Sequence, residues 1–109
     1  MTREPEKGFY HHYKHDPEKG VFDYAYEVVG IAHHTEVEDF DAARMVVYRP
    51  LYESAKVYQA GRHCDVRPLG MFMEDVTKEG RVFPRFSKVT DRAATELLRA
   101  KRREMYGTN

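Results

Sequence analysis

The chain has 109 residues and a mass of 12.8 kDa, and its 18 basic side chains balance 18 acidic ones, so its formal net charge is zero before six histidines are counted. That size fits one domain, no stretch approaches the roughly 18 consecutive apolar residues of a membrane span, and the first residues lack the apolar core of a signal peptide, so a soluble, cytoplasmic protein without a membrane partner is expected. A single cysteine, Cys64, excludes an internal disulfide and a zinc site built on paired thiolates.

In chain order, residues 1–7 read as a flexible tail, 8–87 as one small β domain and 88–109 as a C-terminal amphipathic helix and tail. Short runs rich in Tyr, Phe and Val predict strands over Phe9 to Lys14, Phe22 to Thr35, Arg44 to Tyr52, Asp65 to Val76 and Arg81 to Phe86. Asp16-Pro17-Glu18-Lys19-Gly20 and Lys78-Glu79-Gly80 supply turn chemistry between them. Five short strands predict a mainly β fold, either a small five-stranded SH3-like barrel or a strongly bent antiparallel sheet, because closing or bending the sheet protects its edges. From about Asp91 to Met105 the pattern changes. Thr90-Asp91 offers an N-cap, Ala94, Leu97, Leu98 and Met105 recur near helical spacing, and Gly107 stands where a helix would stop.

The zero total conceals a dipolar chain. From Lys88 onward six basic residues face three acidic ones, while Glu36, Glu38, Asp39 and Asp41 cluster in the body. The run Lys101-Arg102-Arg103 complements the negative end of the helix dipole; a nucleic-acid contact is the sharper alternative.

Alternation along a strand puts Tyr10, His12 and Lys14 on one face and Phe9, His11 and Tyr13 on the other. The same rule places Tyr24, Tyr26, Val28, Gly30, Ala32, His34 and Glu36 on one face of the second strand. His34 and Glu36 then stand side by side, where a carboxylate can orient and charge an imidazole, or form a plain surface ion pair. Arg67 and Arg85 adjoin prolines that fix the backbone, and their planar guanidinium forks suit a carboxylate or phosphate; the structural alternative pairs them internally with Glu36, Glu74 or Asp75. An open metal triad of His12, His34 and Glu36 is conceivable but lacks any ligand spacing motif, and no glycine-rich phosphate loop is present, so neither a metal nor a cofactor is expected. The many aromatics, including Tyr48, Tyr52, Phe72 and Phe86, are chiefly core candidates, although tyrosines beside arginines also make a stacking platform for bases.

Six ordered fragments carry a resemblance. They are Gly8-Phe9-Tyr10-His11-His12-Tyr13-Lys14, Tyr26-Glu27-Val28, and Gly30 to Glu36, followed by Met45 to Tyr52, Val66-Arg67-Pro68-Leu69-Gly70-Met71-Phe72, and Gly80 to Phe86. Over about residues 8–86 the chain resembles a small bacterial family, domain of unknown function 1653, and it differs by longer loops after Lys14, around Glu38 to Arg44 and between Tyr52 and Val66. It also carries Asp65 where the family commonly has an aromatic, which implies a more open pocket if that ring closes the site in relatives. The resemblance implies shared positions at Tyr10, His12, Lys14, His34, Glu36, Tyr48, Tyr52, Arg67, Pro68, Phe72, Pro84, Arg85 and Phe86, and no activity.

The expected function is a binding module for an anionic or polar ligand, a nucleotide or nucleic acid, held by Tyr10, His12, Lys14, His34, Glu36, Tyr48, Arg67, Arg85 and Phe86. Two alternatives stand beside it: a structural or protein-interaction domain in which these side chains form an internal network, and a small enzyme with His34 as base polarised by Glu36. A homodimer is compatible with either binding role.

Overall fold

The computed structural model describes residues 3–53 and 63–107, so most of the expected long loop between Tyr52 and Val66 lies outside the described residues. Seven strands form among the described residues: β1 (Gly8–His12), β2 (Ala25–His33), β3 (Arg44–Pro50), β4 (Asp65–Pro68), β5 (Asp75–Lys78), β6 (Arg81–Pro84) and β7 (Phe86–Lys88). Among the described residues they are accompanied by a one-turn 3-10 helix (Pro17–Lys19) and the α-helices α1 (Phe40–Ala43), α2 (Leu69–Phe72) and α3 (Arg92–Tyr106). The main sheet is antiparallel with order β4-β3-β2-β1-β7, and β5 and β6 make a separate two-stranded hairpin.

Two of the expected strands are broken. The run Asp65 to Val76 contains α2, because Leu69 and Phe72 are both buried in the same core. Three residues apart, they would point to opposite faces of a strand but share one face of a helical turn. The run Arg81 to Phe86 divides at Pro84-Arg85, where a proline lacks the N–H needed to continue a ladder, and its two halves join different sheets. The hairpin loop Glu79-Gly80 has φ of 53° and 77°, the doubly positive geometry of a two-residue turn compatible with strand twist.

Of the two expected architectures, the bent sheet describes the chain better than a closed barrel. The edges β4 and β7 do not pair with each other among the described residues. Four strand spacings would hold those edges about 19 Å apart on a flat sheet, yet the Arg67 guanidinium on β4 lies 5.7 Å from the Phe86 ring centre on β7. The sheet is therefore strongly curved. Phe72 of α2 stacks on Phe86 at 4.2 Å and fills the concavity.

The two faces carry two cores. Tyr10, Val28, Val46, Tyr48, Leu69, Phe72 and Phe86 pack on the concave side; Phe9, Ala25, Leu51 and Leu98 pack on the convex side beneath α3. A bulge shifts the β2–β3 register between Val28 and Gly30, so Val28 opposes Tyr48 while Ile31 opposes Val46. Both partners belong to the concave core, so the extra residue inverts the alternation beyond it. His34 thus leaves the face of Tyr26 and Val28 that uninterrupted alternation predicts.

α3 runs from an Asp91 N-cap, whose carboxylate accepts from Ala94 N–H, to Gly107 in the left-handed region, whose N–H bonds the Arg103 carbonyl. Leu98 and Met105, seven apart, are its buried residues. It is clamped to the sheet by Glu27, a buried carboxylate on β2. Glu27 accepts from Arg49 Nε and from Arg102 Nη1, each at 2.8 Å. Tyr106 adds a 2.6 Å bond from its hydroxyl to the Pro50 carbonyl.

Candidate functional site

Antiparallel pairing gathers the ends of three strands on the concave side. His12 opposes Phe86 across β1–β7, and the His12 amide bonds the Tyr24 carbonyl at 3.0 Å. Its ring lies 5.2 Å from Phe86 edge-on, 4.4 Å from Tyr13 and 5.6 Å from Tyr24. Behind it, Tyr26 and Tyr52 join through their hydroxyls at 2.6 Å, and Tyr26, Tyr48 and Phe86 meet edge to face within 6.0 Å. Burial, followed by the Tyr52 hydrogen bond, pushes the Tyr26 phenol far above its ordinary pKa, so it stays neutral. The result is an aromatic shelf.

The shelf is edged by cations. Arg67 lies over Phe86 and reaches the Tyr48 hydroxyl with Nε at 3.4 Å, at the long end for such a bond. It has no carboxylate partner among the described residues. Arg85 donates to Glu74 at 3.2 Å, and its Nε is buried without an acceptor among the described residues. The Lys14 amide donates to His12 Nδ1 at 3.2 Å. Burial first, then the positive charges of Lys14, Arg67 and Arg85, lower the His12 pKa to about 4. At neutral pH the imidazole is uncharged and sits in a field that favours an anion.

Tyr24 holds φ of 50°, a left-handed conformation unfavourable for a bulky L-residue. The strain orients its exposed ring toward His12 and Tyr52. Local strain of this kind concentrates where ligands are held.

The predicted residues separate into groups. His12, Lys14, Tyr48, Arg67, Arg85 and Phe86 assemble at the shelf. Tyr10 lies behind Phe72 in the core; with Arg85 and Phe86 it lines a neighbouring cleft of about 640 Å³, bounded also by Glu6 and Lys88. That cleft shares Arg85 and Phe86 with the shelf but does not include His12, Tyr48 or Arg67.

His34 and Glu36 join neither group. They follow the far end of β2, about 30 Å of strand from the position beside His12. Both are exposed, and the His34 Nδ1 accepts the Glu36 N–H at 3.2 Å, so the ring serves a local turn. Among the described residues the triad of His12, His34 and Glu36 is not assembled. Among the internal pairings expected for the arginines, only Arg85 with Glu74 forms among the described residues. Tyr24, Tyr26 and Tyr52 are shelf members outside the set expected from sequence; the shared face of Tyr24 and Tyr26 on the second strand is the signal that bears on them.

The family model described as protein of unknown function (DUF1653) matches residues 8–88. A crystal structure of a DUF1653 protein from Bordetella bronchiseptica is similar, with 28% sequence identity and a TM-score of 0.57, covering 84% of this chain and 99% of that one. No curated protein matches.

Proposed function

The chain belongs to the DUF1653 family of proteins of unknown function, and from the concave shelf we propose that this member is a binding module for a planar anionic ligand of the nucleotide class. One observation carries the reading: Arg67, without a carboxylate partner among the described residues, rests against Phe86 and Tyr48 beside a neutral His12. A guanidinium on an aromatic bed keeps its outer N–H fork available for phosphate, and the tyrosine faces offer stacking to a base. Lys14 and Arg85 add charge of the same sign.

AMP, GMP, UMP and inorganic phosphate serve as probes in thermal-shift and calorimetric titrations. At least one nucleotide is expected to raise the melting temperature, and Arg67→Ala to reduce that binding by tenfold or more while circular dichroism and the unliganded melting temperature stay near wild type. The reading fails if no nucleotide binds, or if Arg67→Ala unfolds the protein.

The Arg85–Glu74 ion pair favours a second reading, an interaction domain in which Arg85 ties the β6–β7 junction to the segment that follows α2. Loss of cooperative folding in both Arg67→Ala and Arg85→Ala would support it.

A further inference from the structure

A groove of about 430 Å³ runs between the sheet and α3, and Lys88 borders both it and the cleft beside Tyr10. Lys7, Lys88, Arg99 and Arg102 line it, and Phe9 and Val28 on its walls are buried. The carboxylate there, Glu27, is already held by Arg49 and Arg102. Lys7 and Arg99 have no carboxylate partner among the described residues. Lys88 meets only Glu6, whose side chain is 80% exposed, a pairing too solvated to neutralise it.

Gly8 and Gly30 lie beside the two lysine stems. A Cβ at Gly8 would stand 3.3 Å from Lys88 Cε, and one at Gly30 would stand 3.7 Å from Lys7 Cε. A side chain at Gly8 would push on the Lys88 stem, whereas 3.7 Å at Gly30 is ordinary van der Waals contact and leaves Lys7 in place. Four cations line a groove whose one lining carboxylate is Glu27, a local positive surplus in a chain whose total charge is zero.

We propose that this groove binds the phosphodiester backbone of a single nucleic-acid strand, without base selection. Lys7, Lys88 and Arg99 are exposed along the groove and Arg102 is half-buried, so a flexible strand can bring successive phosphates to them. A membrane surface fits less well, because an interfacial helix needs exposed apolar side chains beside its basic ones. Here Leu97, the exposed large apolar residue of α3, is about 200° around the helix from Arg99. The groove contains none of His12, Tyr48 or Arg67, so the inference stands apart from the concave shelf.

The test is fluorescence anisotropy of a labelled mixed-sequence single-stranded oligonucleotide over a salt series, with wild type, Lys7→Glu/Arg99→Glu, Lys7→Ala/Arg99→Ala and Arg67→Ala. The charge-reversal pair is expected to lose at least tenfold in affinity. The alanine pair is expected to flatten the log–log salt slope by about 1.4, for two phosphate contacts at about 0.7 each. The proposal is overturned if wild type does not bind at low salt, or if both Lys7/Arg99 variants bind like wild type. It is also overturned if phosphatidylserine vesicles bind and the oligonucleotide does not, or if only Arg67→Ala loses binding, which places the strand on the aromatic shelf.

Discussion

At the scale of single residues, burial and three neighbouring cations hold the His12 pKa near 4, against an ordinary 6.5. The unfolded chain therefore takes up a proton before the folded one. Stability contributed by neutral His12 is complete above about pH 6.5, drains as the pH falls toward 4, and changes no further below that. His11, lowered chiefly by burial, acts in the same direction. His12→Gln should reduce the acid sensitivity between pH 6.5 and 4 by on the order of 1–2 kcal/mol after discounting for solvent screening, as measured by urea titrations across that range. An unchanged pH profile would show that His12 titrates near its ordinary value. Composition makes His12 one of six histidines; only its neighbours distinguish it.

Among elements, the junction of α3 with the sheet is the most exacting. Glu27 is 7% exposed and holds two guanidiniums, one from β3 and one from α3. Glu27→Ala leaves both cations without their carboxylate and should cost about 3–5 kcal/mol in chemical denaturation. Glu27→Gln, which retains an acceptor, should cost less. Equal effects from the two variants would show that charge, not hydrogen bonding, dominates the clamp. The helix itself was legible in the sequence, from the Asp91 cap to the Gly107 stop, because caps and apolar spacing are local signals. The Glu27 clamp was not, since its partners lie 22 and 75 residues away.

Across the whole molecule, the curved sheet separates two cores, and α3 covers the convex one although it lies beyond the family match at residues 8–88. Leu51 and Leu98 are fully buried there and Phe9 is 5% exposed. Burying each such side chain stabilises by about 1.5–3 kcal/mol, a large share of a small domain's net stability. A chain ending at Val89 should therefore lose its cooperative thermal transition and bind a hydrophobic dye. Retention of a sharp transition would establish that the sheet and its concave core stand without the helix.

Local chemistry in the sequence determined the mainly β character, the Glu79-Gly80 turn, the C-terminal helix and the family pattern, because caps, turns and short-range periodicity are written in neighbouring residues. Tertiary structure decided the rest. Packing of Leu69 and Phe72 on one core turned an expected strand into α2, and the bulge between Val28 and Gly30 reversed the face on which His34 falls. Strand length then set His34 and Glu36 at the opposite end of β2 from His12, while curvature brought Arg67 and Phe86 together from the two edges of one sheet. Those outcomes depend on which strands pair, in which register and with what bend, and such relations arise only when distant segments meet.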